Sequence, residues 1–135
     1  MKKLIIFILV AISINAQSWN SSVSTAISNA NAVDNFANKD GIHILVKTSS
    51  NQIKYYLTDV SGTTIRSTEF ASSGDFPNVV GSDDGTKLYA TYKDGNGIKT
   101  QYSTNAGASW TPLDNIDISS YPTLKTIDVV HNDDQ

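Results

Sequence analysis

Residues 102–110, YSTNAGASW, follow a strand-like run from Ile98 to Tyr102 and end on the bulkiest apolar side chain a protein can use. A turn of small polar residues that closes on tryptophan is a device for anchoring a sharp reversal. Gly107 can adopt a backbone conformation that a Cβ would penalise. Asn105 is short enough to accept hydrogen bonds from turn amides, and Ser103 adds a second acceptor. Trp110 then begins the next strand, where its ring can close the gap against an adjoining sheet, a burial worth about 3 kcal/mol or more. The stretch therefore predicts strand, tight turn, strand, and a second layer for the indole to meet.

The chain around this stretch repeats itself. The segment from Val33, VDNFANKDGIHILVKTSSNQIKYYLTDVSGTTI, aligns with the segment from Pro77, PNVVGSDDGTKLYATYKDGNGIKTQYSTNAGASW. Asp40-Gly41 falls on Asp84-Gly85 and Ile44 on Leu88; after one inserted residue, Ile53 falls on Ile98, Thr58 on Ser103, Gly62 on Gly107 and Ile65 on Trp110. Such self-similarity is the mark of a repeated supersecondary unit. In the second copy the expected strands are 78–82, 87–93, 98–103 and 109–113, separated by Asp/Asn/Gly clusters with tight-turn chemistry.

Gly41-Ile-His-Ile-Leu-Val46 and Leu88-Tyr-Ala-Thr-Tyr92 carry apolar or aromatic groups on both faces, so these strands are expected to be covered on both sides. Four-stranded antiparallel units of roughly 40 to 50 residues stacked between neighbours describe β-propeller blades. The expected organisation is a lead-in at 17–32, one blade at 33–70, a second at 77–113 and the opening of a third at 121–135. The expected fold class is all-β, an incomplete propeller. A small β-sandwich of about eight strands is the alternative.

The composition is that of an ordinary globular chain: 135 residues, formal charge -3, 39% hydrophobic, 17% charged and without cysteine. Neither basic patch nor charge run suggests a nucleic-acid binder. Residues 1–16 combine Lys2 and Lys3, an apolar run from Leu4 to Ile12 and a small residue at Ala16, the pattern of a secretory signal peptide. The run is too short to span a bilayer. Secretion or display at the cell surface follows, and with no disulfide available, stability must come from burial and hydrogen bonding. Asn20-Ser-Ser fits a glycosylation sequon.

Ser103, Asn105, Gly107 and Trp110 resemble the Asp-box, the bacterial neuraminidase repeat of sialidase-like propellers, with the pattern S/T-X-D-X-G-X-X-W/F. Asn105 stands where aspartate is usual. Thr58-Asp-Val60-Ser-Gly62-Thr-Thr-Ile65 is a decayed copy without the acidic position. The resemblance implies a propeller, and implies that this turn is structural and lies away from the substrate-binding face. Sialidases also resemble one another in an arginine triad that clamps the substrate carboxylate. Beyond the expected leader this chain has one arginine, Arg66, which falls on an outer strand, so the clamp is not expected here.

No other catalytic constellation emerges. Paired carboxylates would suit glycoside hydrolysis, yet Asp83, Asp84, Asp114 and Asp117 sit in turns, where aspartate is favoured for local hydrogen bonding. Asp75, between the units, and Asp94, between a second and third strand, are the candidate ligand-binding residues, because both loop types reach the binding mouth of a propeller. Asp94-Gly-Asn96-Gly lacks the later ligands of a calcium loop, and His43 and His131 lack zinc-ligand spacing, so neither metal nor cofactor is expected. The function expected is a secreted module that binds glycans or extracellular proteins. The alternatives are the leading part of a sialidase-like glycoside hydrolase with its catalytic groups downstream, and a passive cell-surface or adhesion scaffold. Further blades of the same protein or self-association would complete the ring.

Overall fold

The structure, a computed structural model, describes residue 27 and residues 29–121 and 123–130. The expected signal peptide, most of the lead-in, Asn20 and His131 lie outside the described residues. Those described contain strands, turns and loops and no helix, and they form two antiparallel sheets.

The first sheet is a four-stranded meander: β1 (Ala30–Asn38), β2 (Gly41–Thr48), β3 (Ile53–Thr58) and β4 (Thr64–Ala71). The second repeats the path with β5 (Asp75–Gly81), β6 (Leu88–Asp94), β7 (Gly97–Ser103) and the short β8 (Thr111–Pro112). A further pair of residues, β9 (Ile116–Asp117), returns to β7 beyond the end of β8. The reversals fall where the turn chemistry put them. Gly95 (φ 57) opens the two-residue turn between Asp94 and Gly97, and Asn51 (φ 63) takes the left-handed position between β2 and β3. The fourth strand of the second unit is shorter than the 109–113 expected, since only Thr111 and Pro112 pair with β7.

The two sheets pack through one core. Leu45, Ile53, Tyr55 and Leu57 of the first face Val79, Ala90 and Tyr92 of the second, with Phe36, Phe70 and Trp110 packed against them. The opposite face of β2 buries Ile42, Ile44 and Val46 beneath Ile27, Ala30 and Tyr56. Both faces of β2 are covered, so its sequence is an apolar run rather than an alternation.

The seam is not uniform along its width. At one side β5 lies directly against β1 and β2. There the Val79 amide donates across the seam to Asp34 Oδ2 at 2.8 Å, and Asn38 Nδ2 donates to the Ser82 carbonyl at 3.4 Å. Toward β4 and β8 the gap is filled by rings. Phe70 stacks on Tyr92 with centroids 6.0 Å apart, and Trp110 meets Tyr55 and Phe70 edge-on at 4.9 and 5.0 Å.

The ladders correct the alignment of the two units. The row Asp34–Leu45–Tyr55 of the first sheet corresponds to Asn78–Thr91–Thr100 of the second. Leu88 therefore takes the place of Ile42, not Ile44, because Ile42 faces Thr58 as Leu88 faces Ser103. Asp40-Gly41 closes a two-residue hairpin, whereas Asp84-Gly85 sits inside the longer loop from Ser82 to Lys87. The shift is two residues, so every side chain keeps its face.

The region expected to open a third blade, 121–135, is described only at 121 and 123–130, which carry no ladder.

Candidate functional site

The β2–β3 turn, the 72–74 connection, the β6–β7 hairpin and the segment after β9 share one end of the two sheets. The Gly74 amide donates to the Asn51 carbonyl at 2.8 Å and the Ile118 amide to the Asn96 carbonyl at 2.8 Å, which ties these loops in two pairs that the Asp75–Lys93 pairing brings side by side as one rim. Gly74 leaves no room for a side chain, since a Cβ there would meet the Lys93 carbonyl oxygen at 3.0 Å and the Ile53 side chain. The rim is polar: Thr48, Ser49, Ser50, Asn51, Ser72 and Ser73 on the first unit, Asp94, Asn96, Asn115 and Asp117 on the second, with Tyr121, 67% exposed, joined to it through the hydrogen bond its amide donates to the Ile118 carbonyl. On the outward face of the first sheet the rim opens into a shallow cleft of about 170 Å³ lined by Asn29, Thr48, Gln52, Lys54 and Tyr56 among others.

Asp75 and Asp94 both belong to this rim, and the register brings them close, since Asp75 pairs with Lys93, the residue before Asp94. Their situations differ. Asp75 opens β5 instead of lying in a free linker, and its Oδ1 takes both Lys47 Nζ at 3.2 Å and the Phe76 amide at 3.0 Å. Lys47 belongs to the first sheet, so the pair is a clamp across the seam and leaves Asp75 less able to bind a ligand. Phe76 holds φ at 51, a strained value for an aromatic residue, and the Asp75 carboxylate caps its amide there. Asp94 is exposed on its hairpin.

The turn of residues 103–110 lies at the opposite end of the sheet. Ser103 Oγ accepts the amides of Asn105 (3.3 Å) and Gly107 (3.0 Å) while donating to Asn105 Oδ1 at 3.0 Å. Asn105 Oδ1 also accepts the Ser109 amide at 2.9 Å, and the Trp110 Nε1–H donates to the Gly107 carbonyl at 3.1 Å. Gly107 (φ 73) lies against Tyr55, so a Cβ there would come within 2.6 Å of the phenol ring carbon Cε1. Arg66 Nη1 donates across the seam to the carbonyls of Asn105 (3.3 Å) and Ala106 (3.1 Å), so the one arginine of the described residues braces this turn. In the first unit Asp59 supplies the cap: its Oδ1 accepts the amides of Ser61 (2.9 Å) and Thr63 (2.8 Å) and the Ser61 hydroxyl (2.6 Å). Hydrogen bonds from Ser61, first, and from Thr63 hold that carboxyl below its ordinary range. Thr58 Oγ1, the counterpart of Ser103 Oγ, is buried without a partner.

A buried polar chain that sequence patterning did not reveal runs from Asn38 through His43 to Tyr55. Asn38 Oδ1 accepts the Asp40 amide at 2.9 Å, which identifies that atom as the oxygen. His43 Nε2, 2.9 Å away, must then carry the proton, leaving Nδ1 to accept the Tyr55 hydroxyl at 2.7 Å. Burial pushes His43 down to about 4, outweighing the raising effect of Asp40, and pushes Tyr55 up. A neutral, fully satisfied imidazole in a seam is a packing element.

Also at the turn end, Ser82, Asp83, Asp84, Thr86 and Lys87 surround an open space of about 390 Å³. Asp84 Oδ1 is already occupied by the Ser82 hydroxyl (2.6 Å), the Thr86 amide (2.9 Å) and the Thr86 hydroxyl (2.7 Å). Those bonds, the Ser82 hydroxyl foremost, lower the carboxyl to about 2. Among the described residues no three His, Cys, Asp or Glu side chains gather to hold a metal, and no helix is long and apolar enough to cross a membrane.

Comparison with protein-family models, with curated proteins and with solved structures gives no match.

Proposed function

We propose that the two sheets are consecutive blades of a sialidase-like, Asp-box β-propeller, and that the module is a secreted scaffold that binds glycans or extracellular proteins through the polar rim. One observation carries the assignment: the seam is a wedge. At β1, β2 and β5 the sheets approach closely and are joined by the Asp34 and Asn38 side chains, while toward β4 and β8 they are held apart by Tyr55, Phe70, Tyr92 and Trp110. Sheets splayed in this way fan about an axis, whereas the two layers of a sandwich keep a spacing of about 10 Å. The strand β5, packed against β1, is the innermost in this arrangement, and the turn of residues 103–110 faces away from the rim.

The rim suits a polyhydroxylated ligand. It offers amides, hydroxyls and carboxylates that both donate and accept, with the Tyr121 ring as a flat apolar surface for a sugar face. Asp94 is the carboxylate best placed to take part, because Asp75 is held by Lys47. Glycan-array binding by the full chain, alongside Asp94→Ala and Asp75→Ala, tests the assignment. Binding to a glycan class that falls at least tenfold in Asp94→Ala and less in Asp75→Ala is expected. A silent array would remove the glycan-binding half of the proposal.

A further inference from the structure

Asp34 and Asn78 occupy the same place in successive sheets. Asp34 pairs with Leu45 and Leu45 with Tyr55; Asn78 pairs with Thr91 and Thr91 with Thr100. Asp34 projects from the face of the first sheet that meets the second, and there its Oδ2 accepts the Val79 amide of β5 at 2.8 Å. Asn78 projects from the corresponding face of the second sheet, and its Oδ1 is buried with no donor. A buried carbonyl oxygen without a partner costs about 1–3 kcal/mol, so this one calls for a donor. The face around it is built to be covered. Tyr89 and Tyr102 pair with ring centroids 4.9 Å apart, Thr91 is buried with its hydroxyl 3.2 Å from that of Thr100, and Val80 and Ile98 are half-buried.

The donor is written in the sequence. Val79 follows Phe76-Pro77-Asn78, and Leu124 follows Tyr121-Pro122-Thr123: aromatic, proline, polar, aliphatic in both. Leu124, Ile127 and Val129 are half-buried, whereas the residues between them are exposed. A second copy of the chain is the poorer occupant, because the face it would present, Ile42, Ile44 and Val46, is already covered within its own chain.

We infer that the outward face of the second sheet is the seat of residues 123–130, the first strand of a further sheet, with the Leu124 amide donating to Asn78 Oδ1 as Val79 donates to Asp34. This rests on the propeller assignment and goes further by naming the surface, the occupant and the bond that sets its register. Residue-resolved amide hydrogen exchange on the full chain tests it, comparing wild type with Asp34→Ala, Asn78→Ala and Asn78→Asp. Asp34→Ala should speed exchange at Val79 at least tenfold. Asn78→Ala should do the same at Leu124 and leave Val79 unchanged, while Asn78→Asp, which keeps an acceptor oxygen, should preserve protection at Leu124 even where the alanine variant folds poorly. A Leu124 amide that is unprotected, or indifferent to both Asn78 variants while Val79 responds to Asp34, overturns this inference and leaves the propeller assignment standing. A Val79 amide indifferent to Asp34 removes the seam on which both depend.

Discussion

Truncating Trp110 to alanine should remove about 4 kcal/mol of stability, and the estimate can be assembled from its contacts. Burial of most of the indole contributes about 2 kcal/mol. The edge-on contacts with Tyr55 and Phe70, at 4.9 and 5.0 Å, contribute about 0.5 kcal/mol each. The Nε1–H bond to the Gly107 carbonyl, at 3.1 Å, adds about 1 kcal/mol. The sum falls inside the range of about 3–5 kcal/mol known for truncating large aromatic residues. Trp110→Phe keeps a ring in the seam and loses the hydrogen bond and part of the area, so about 1.5 kcal/mol is expected. Urea unfolding followed by far-ultraviolet circular dichroism measures both. With a slope of about 1.5 kcal/mol/M, Trp110→Ala should lower the midpoint by about 2.7 M, or leave the chain unfolded in plain buffer if its total stability is smaller. A Trp110→Ala protein within 1 kcal/mol of wild type, with an unchanged slope, would refute the role given to the indole.

The two turn serine/threonine positions should respond in opposite directions: Ser103→Ala strands two amides and should cost about 1–2 kcal/mol, while Thr58→Val replaces a partnerless buried hydroxyl and should be neutral or stabilising by up to about 1 kcal/mol in the same assay. Gly107→Ala and Gly95→Ala both place a side chain at positive φ, but only Gly107 has Tyr55 in the way, so Gly107→Ala should lose at least about 2 kcal/mol and Gly95→Ala about 1 kcal/mol. His43 sits at about 4 in the folded protein against 6.5 unperturbed, so between those values the unfolded chain binds the extra proton. Its contribution is complete above pH 6.5 and is lost as pH falls toward 4, up to about 3 kcal/mol. Urea midpoints of a His131→Gln background should therefore fall steeply across that window and become flatter in His43→Gln; identical slopes would contradict the buried neutral imidazole. The losses tied to Asp59 and Asp84 belong to more acidic solutions, below their ordinary carboxyl value of 3.8.

Much of this architecture was legible because it is written in local patterns. The strands from 41 to 103 follow from β-branched and aromatic runs between Asp/Asn/Gly turns, and Gly107 and Trp110 announced a reversal closed by a ring. What the sequence concealed is non-local. The loop between β5 and β6 is longer than its counterpart between β1 and β2, which displaced Asp84-Gly85 from equivalence with Asp40-Gly41 although the residue types match. β9 consists of two residues, too few to show a period. Asp75 stood between the repeats as a candidate ligand group, and nothing local could show that Lys47, 28 residues earlier, reaches it across the seam. The chain Asn38–His43–Tyr55 was equally hidden, since a histidine in an apolar strand does not name its partners. Asp59 could have been found: an aspartate two residues before serine and four before threonine is a cap signature, one position earlier than the box pattern directs the eye. The corresponding rows of the two sheets, aligned by ladder, then exposed Asn78 as the counterpart of Asp34.

Two like sheets press together, and the indole near the end of the second closes the seam. Nuclear Overhauser contacts between the Trp110 indole protons and the ring protons of Tyr55 and Phe70, in the folded 135-residue chain, measure it directly. Strong contacts to both rings, at the 4.9 and 5.0 Å centroid separations, are predicted. An ordered Trp110 with contacts to neither ring would contradict the account.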